Sequence, residues 1–263
     1  MGLERVRAIA QAMGLAAKPA PCVITVGGTN GKGSTVAFLE AIAREAGLRV
    51  GAYTSPHLWR FNERIRIDDV EAGDDAIVAA FQRIDAARGA TPLTYFEYAT
   101  LAAFDLFERA GLDLAVLEVG LGGRLDATNI VDADVAVITT VDLDHMDYLG
   151  PDRESIGAEK AGILRTGKIA VLGEKDPPSS VLRRAYALGA IAIRGHGDYL
   201  IDRFDQHWIW REPGFQLELP YPALAAPVQV ENAAAAIAAL RASGLPIDDA
   251  AFAHGVAGAR VPG

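Results

Sequence analysis

The sequence predicts an α/β fold: a mainly parallel sheet flanked by helices, with a small antiparallel subsheet over residues 199–219. Three observations carry that expectation. Short apolar runs with β-branched bias alternate with helical patterns along most of the chain, as a parallel sheet with crossover helices requires. The first run, around Val23, Ile24 and Val26, breaks into Gly27-Gly28 and Thr29-Asn30-Gly31-Lys32-Gly33-Ser34 before a helical pattern begins. Near Tyr199 the texture changes to strict alternation around Pro213-Gly214, the mark of a hairpin.

The elements follow in order. Leu3 to Gly14 reads as an amphipathic helix (Leu3, Val6, Ile9, Ala10, Met13), and Pro19 and Pro21 close the linker after it. Thr35 to Ala46 is a helix with Val36, Leu39, Ile42 and Ala43 on one face, and Gly47 is its stop. Arg49 to Thr54 is a strand ending at Ser55-Pro56-His57. Residues Trp59 to Asp69 are rich in charge and read as a surface loop with a short strand at Ile65–Ile67. Asp74 to Ala87 is helical, and Thr94-Tyr95-Phe96-Glu97 opens a helix that runs to Gly111. Leu112 to Val119 and Asp134 to Val141 are apolar strands. Arg153 to Leu164 is a helix, Ile169 to Leu172 a strand, Ser179 to Leu188 a helix and Ile191 to Ile193 a strand. Phe204 to Trp210 and Phe215 to Leu219 form the hairpin. Gln229 to Ser243 is an alanine-rich helix, followed by a shorter one from Ile247 to Val256.

At 263 residues the chain can bury a substantial core in one large domain or two small ones. Apolar residues make up 51% and charged residues 22%, an ordinary globular composition. The net charge of −9 argues against nonspecific nucleic-acid binding, which needs a basic face. A polyanionic ligand must therefore be held by local devices: a helix dipole, lysines or metal ions. Cys22 is the only cysteine, so no intrachain disulfide forms and a reducing compartment fits. No run reaches the length of a membrane span, and Met1 to Gly14 lacks the pattern of a signal peptide. A cytoplasmic monomer with small-molecule partners, no nucleic acid and no membrane is expected.

A strand, a glycine-rich turn and a helix start together make an anion site, because glycines let backbone N–H groups approach a phosphate and a lysine reaches its outer oxygens. The spelling departs from the standard phosphate loop, G-x-x-x-x-G-K followed directly by Ser or Thr. Val26 stands where the first glycine belongs, and Gly33 separates Lys32 from Ser34. That lost hydroxyl argues against a P-loop small-molecule kinase. Other polar residues fall at strand ends, the ligand edge of an open parallel sheet: Ser55 and His57, Glu118, and Asp142, Asp144, His145 and Asp147. A carboxylate there, beside a phosphate loop, suits a Mg²⁺ ligand. Glu118 inside V-L-E-V-G is costly to bury unpaired, which favours metal ligation over a capping role. By themselves, His145 reads as a surface histidine, Phe96 as core, and Lys160 as a solvated helix lysine paired with Glu154 or Glu159. Asn232, a weak helix former within an alanine helix, hints at a polar partner.

Six stretches in order resemble the N-terminal ATPase domain of folylpolyglutamate synthase and dihydrofolate synthase, members of the Mur ligase superfamily. They are V-I-T-V-G-G-T-N-G-K-G-S (Val23 to Ser34), T-S-P-H-L-W-R-F-N-E-R-I (Thr54 to Ile65), L-T-Y-F-E (Leu93 to Glu97), L-E-V-G-L-G-G-R-L-D-A-T-N-I-V (Leu117 to Val131), D-H-M-D-Y-L-G (Asp144 to Gly150) and E-K-A-G-I (Glu159 to Ile163). The resemblance implies a Mur ligase central-domain fold, with residues 1–263 as its ATP-binding domain, and an ATP- and Mg²⁺-dependent ligase. Such a ligase adds L-glutamate to dihydropteroate or a folate through an acyl phosphate. It further implies that Gly28, Thr29, Asn30, Gly31, Lys32, Gly33 and Ser34 hold the ATP phosphates and that Asn232 meets the adenine. Ser55, Glu118 and His145 are the implied Mg²⁺ ligands, and Lys160 the lysine that forms a carbamate with CO₂. Thr94, Tyr95, Phe96 and Glu97, with Leu125, Asp126 and Ala127, are implied to line the dihydropteroate pocket, Phe96 packing on the pterin and Asp126 hydrogen-bonding it.

The departures lie mainly at the ends. Family members begin with a further segment before the G-L-E-R-V helix, which here starts at Gly2. Arg260-Val261-Pro262-Gly263 resembles the junction to a C-terminal domain that serves the nucleotide and glutamate sites, so both parts are expected to be absent. Pro227-Val228-Gln229 lacks the family's histidine before the glutamine, and Gly27 replaces a more frequent alanine. Two other readings share these residues: a Mur-type peptidoglycan-precursor ligase domain, and a nucleotide-binding module without ligase activity. F-N-E-R-I and T-Y-F-E favour the folate branch over the first.

Overall fold

Helix α1 (Glu4–Ala12) leads into strand β1 (Cys22–Gly27), all six residues of which are buried. The computed structural model describes residues 2–261; Pro262 and Gly263 of the junction-like stretch lie outside them. Then come α2 (Lys32–Glu45), β2 (Val50–Tyr53), a 3₁₀ turn (Phe61–Arg64), β3 (Ile65–Ile67), β4 (Val70–Glu71), α3 (Asp74–Arg88), α4 (Tyr95–Ala110) and β5 (Leu114–Glu118). A 3₁₀ turn (Ala127–Ile130), β6 (Val135–Ile138), α5 (Met146–Leu149), α6 (Arg153–Lys160), β7 (Ile169–Leu172), α7 (Ser179–Ala187) and β8 (Ile191–Arg194) follow. The last elements are β9 (Leu200–Arg203), β10 (His207–Glu212), β11 (Phe215–Pro220), α8 (Gln229–Ser243) and α9 (Asp249–Gly258).

Eight strands form one sheet in the order β4-β3-β2-β5-β1-β6-β7-β8, and β11-β10-β9 form a second, antiparallel one. β1 lies parallel between β5 and β6. From β1 the chain runs out to β2, β3 and β4, returns to β5 beside β1, then crosses to β6 on the other side. That reversal opens a crevice at the carboxyl ends of β1, β5 and β6, where ligands bind in open α/β sheets. All the candidate residues at strand ends gather on this edge. Helices cover both faces: α2 packs against α8 and α9 over one apolar cluster, while α1, α3 and α4 cover another. The run Ala233–Ala239 is buried throughout, because small side chains let α8 lie close to α2 and the strands beneath. Trp208 and Trp210 of the small sheet insert into that same core.

Four sequence expectations need correction. The small subsheet has three strands, since β9 joins the hairpin, and Phe204 falls in the turn before β10. The second helix starts at Lys32, so Lys32 and Gly33 belong to its first turn. The helix expected over Arg153 to Leu164 changes to a 3₁₀ turn after Lys160. In the charge-rich stretch at 59–69 the strand expected at Ile65–Ile67 is present as β3, paired with β2 and β4, and Trp59 is exposed, but Asn62, Glu63, Arg64 and Arg66 are buried where a surface loop was expected. Their charges have specific partners. The Glu63 carboxylate accepts from the N–H groups of Leu58, Trp59 and Arg60 at 2.6–2.8 Å, and Arg66 forks onto buried Glu40 at 2.7 Å. A count of charged residues cannot reveal such pairing.

Candidate nucleotide and substrate site

The glycine loop is held by what surrounds it. Thr29 Oγ1 donates to Asp142 O and accepts from Asp142 N–H, at 3.2 and 3.0 Å. Asn30 N–H donates to Thr140 Oγ1 at 3.1 Å, and Asn30 O accepts from Thr139 Oγ1 at 2.6 Å. The loop is therefore stitched to the end of β6. Gly28 (φ +151°) and Gly31 (φ +83°) adopt backbone angles that favour glycine. A Cβ on Gly28 would lie 1.9 Å from Thr139 Oγ1, and one on Gly31 2.4 Å from Asn232 Oδ1. Gly33 faces Glu118, whose carboxylate oxygens would lie 3.9–4.0 Å from a Cβ there. Ser34 sits half-buried one residue further into α2.

Two lysines converge on the loop. Lys32 Nζ donates to Gly28 O and Thr29 O, both at 3.2 Å, and Lys160 Nζ donates to Gly28 O at 2.8 Å. Lys160 is 4% exposed, and neither expected carboxylate reaches it. Glu159 pairs with Arg124, and Glu154 accepts from the N–H groups of Ser179 and Ser180. Burial and then the Lys32 charge push the Lys160 amine down to about 8, against a smaller opposing pull from Asp144. The composition-based reading of a solvated, paired lysine is wrong here. Helix α6 turns its last residue inward onto the glycine loop.

Glu118 ends β5 at 5% exposure. Its Oε2 accepts from the Ser55 N–H at 3.1 Å, the one hydrogen bond its carboxylate makes among the described residues. Desolvation raises its carboxyl to about 7, opposed by that N–H and by the charges of Lys32 and Arg66. A hard, under-compensated oxygen beside the glycine loop fits a divalent cation such as Mg²⁺. Ser55 and Glu118 are thus brought together. His145 lies on the loop after β6, in the left-handed region (φ 48°), with an exposed imidazole whose Nε2 is 3.6 Å from Asp144. It shares the sheet edge with the other two but makes no contact with them here.

Next to this pair is a cavity of about 540 Å³, lined by Ser55, Thr94, Phe96, Glu97, Leu125, Asp126 and Ala127 among others. The Phe96 ring lies across Gly120, where a Cβ would meet it at 2.7 Å, and tilts against Tyr53 at 5.9 Å. Thr94 caps α4 in a reciprocal box with Glu97, and Glu97 also holds Arg5 at 2.9 Å. Tyr95 does not line the cavity; its ring stacks under Arg64 at 5.3 Å. The Asp126 carboxylate already accepts four hydrogen bonds, from the N–H groups of Gly120, Leu121 and Thr128 and from Thr128 Oγ1. Its evident work is to fold the Gly120–Asp126 loop into a cavity wall. Beyond the glycine loop, on the Asn232 side, a smaller cavity of about 110 Å³ is lined by Thr139, Gly173, Glu174, Val228, Asn232 and Ala235 among others. Asn232 is buried there, its Nδ2 donating to Gln229 Oε1 at 3.0 Å.

The profile of the Mur ligase middle domain matches residues 26–240. The chain belongs to that family. It is 52% identical over 264 residues to the dihydrofolate synthase/folylpolyglutamate synthase of Escherichia coli, covering 100% of this chain and 61% of that protein. A structure of Escherichia coli FolC in complex with DHPP and ADP superimposes with a TM-score of 0.95 at 51% identity, over 100% of this chain and 63% of that one. The bifunctional folylpolyglutamate synthase/dihydrofolate synthase of Yersinia pestis, complexed with AMPPNP and Mn ion, gives 0.94 at 50% identity with the same coverage. The chain thus spans about three-fifths of the length of these relatives. No helix of this Mur ligase domain among the described residues is long and apolar enough to cross a membrane.

Sequence reasoning missed three side chains in this Mur ligase domain. Arg5 and Arg64 both line the large cavity. Arg64 is buried, and its Nε donates to His57 Nδ1 at 2.7 Å. It stands inside the F-N-E-R-I stretch, so the motif was the available signal. Glu174, in the small cavity, follows β7 in a G-E-K-D stretch that gives no periodic or motif signal.

Proposed function

We propose that this chain is the ATP- and Mg²⁺-binding domain of a cytoplasmic ligase that joins L-glutamate to dihydropteroate or a folate. The observation that supports this reading best is the position of Ser55. Its N–H holds Glu118 beside the glycine loop, and the same residue lines the 540 Å³ cavity. A carboxylate at the inner end of a pteroate in that cavity meets the outer phosphate of a nucleotide on the loop.

In this reading Gly28 to Ser34 hold the phosphates through backbone N–H groups, with Lys32 swinging from the Gly28 and Thr29 carbonyls onto the outer oxygens. Ser55, Glu118 and His145 hold Mg²⁺, which when bound neutralises charge on the transferring phosphoryl group. A carboxylate is a poor electrophile. Phosphorylation makes it an acyl phosphate, which the glutamate amine attacks with loss of phosphate. Asn232 and the small cavity receive the base, and Phe96 with the Gly120–Asp126 loop receives the pterin. The test supplies ATP, Mg²⁺, dihydropteroate and L-glutamate and follows phosphate release and product mass. Dihydrofolate formation supports the ligase reading. Nucleotide and pteroate binding without product confines this chain to the binding role, and binding of neither overturns it.

Lys160 suits carbamate formation, since CO₂ adds only to a neutral amine, which loses a proton as the anion forms. With its amine pushed down to about 8, the neutral fraction is appreciable at that pH, whereas an ordinary lysine is almost wholly charged. Incubation with ¹³C-bicarbonate at about pH 8.5, just above that value, is expected to give a slow-exchanging carbamate resonance, separate from that of the chain's α-amine, that weakens as pH falls below 8. Lys160→Ala should abolish it. An unchanged resonance in that variant removes the assignment.

A further inference from the structure

Glu174 stands at the start of the β7–α7 connection, its side chain 15% exposed, and its two carboxylate oxygens have different surroundings. Oε2 is fixed by Arg153, whose Nη2 donates to it at 3.0 Å while its Nε donates to Val141 O at 2.7 Å. Oε1 is buried and has no hydrogen-bond partner among the described residues. A buried carboxylate oxygen without a donor is costly, and it marks a place where a donor from outside is accommodated. The residue lines the same small cavity as Asn232.

Glu231 Oε2, on the same cavity wall, also lacks a partner. The Glu231 side chain is the more open of the two, 34% exposed against 15% for Glu174, and its other oxygen accepts from Arg203 Nη2 at 2.6 Å. Of the two carboxylates with a donor-starved oxygen, that of Glu174 is the more deeply enclosed. The nucleobase that suits it must present an N–H group, and adenine does so through its exocyclic 6-amine.

Resting on the reading of the small cavity as the base site, we infer that Glu174 selects the nucleotide, its Oε1 accepting a hydrogen bond from the adenine 6-amine. Arg153 makes the carboxylate a directional reader. Arginine can only donate, so it holds one oxygen and leaves the other to the cavity. The same constraint predicts what an amide does. In Glu174→Gln the carbonyl oxygen must face Arg153, which turns the NH₂ group into the cavity. A donor there opposes the 6-amine and welcomes the 6-oxo group of inosine.

The test measures dissociation constants of the chain with Mg²⁺ for ATP, purine riboside triphosphate (which lacks the 6-amine), ITP and tripolyphosphate. The wild type is expected to bind ATP at least tenfold more tightly than purine riboside triphosphate or ITP. Glu174→Gln should lose that preference and favour ITP, with tripolyphosphate affinity unchanged as the control for folding. Glu174→Ala should bind ATP and purine riboside triphosphate alike. Wild-type discrimination retained in both variants overturns the role of Glu174 and leaves the base site standing. Equal wild-type affinity for ATP and tripolyphosphate overturns the base-site reading, and this inference with it.

Discussion

Glu118→Gln is expected to stabilise the metal-free chain and, in the same protein, to abolish its Mg²⁺-dependent nucleotide binding. The two effects share one cause. Burial raises the Glu118 carboxyl from 4.5 to about 7, so the folded chain binds a proton there at a pH where the unfolded chain has released it. Between these values the native state carries more protons, and stability falls as pH rises. The penalty is absent below about 4.5 and complete above about 7. At about 1.4 kcal/mol per pH unit it amounts to about 3 kcal/mol. Glutamine keeps an oxygen for the Ser55 N–H and carries no charge. Urea denaturation should therefore show the Glu118→Gln variant more stable by up to about 3 kcal/mol at about pH 8 and little changed at about pH 5. Added Mg²⁺ and nucleotide should raise wild-type stability and leave the variant's untouched. A variant that is no more stable at the higher pH contradicts the electrostatic account, and one that keeps its Mg²⁺ dependence contradicts the metal role.

Gly28→Ala should be the most damaging single methyl in the loop. The backbone at φ +151° is one that alanine rarely adopts, and the new Cβ would lie 1.9 Å from Thr139 Oγ1. Strain and overlap together should cost about 3 kcal/mol or more. The shift must also move the Gly28 carbonyl, the acceptor shared by Lys32 and Lys160, so nucleotide affinity should fall at least 100-fold. Thr139→Ala removes the nearest atom but leaves the backbone angle unfavourable. In the Gly28→Ala background it should restore part of the stability, a coupling that a double-mutant cycle reads directly. Additive effects of the two substitutions contradict the contact.

Much of this was legible from residues alone, and the failures have physical causes. The buried strands β1, β5 and β6 announce themselves as short apolar runs, and a carboxylate ending one of them, Glu118, is an anomaly that period and polarity reveal. The misspelt glycine loop was informative because Gly33 moves the hydroxyl away from Lys32. The side chain that faces Gly33 is Glu118, so the loop and the strand-end carboxylate meet where the missing hydroxyl would stand. Lys160 was not legible in composition, and the one cue in R-E-S-I-G-A-E-K is periodic: Ile156, four residues earlier on the same helix face, is buried with it. The stretch at 59–69 misled because exposure was inferred from charge, while Glu63 and Arg66 satisfy theirs through backbone N–H groups and Glu40. Asp126 shows the reverse. It falls on the cavity wall as the resemblance implied, but its oxygens serve the loop that carries it.

In the proposed function the Gly28–Ser34 loop holds the phosphates of a Mg²⁺-bound nucleotide. Titration calorimetry with AMPPNP, with and without Mg²⁺, on the wild type and Lys32→Met tests it most directly. Mg²⁺-dependent binding by the wild type, weakened at least 30-fold in Lys32→Met, is the predicted result. Equal affinity in the two proteins, or binding indifferent to Mg²⁺, would contradict it.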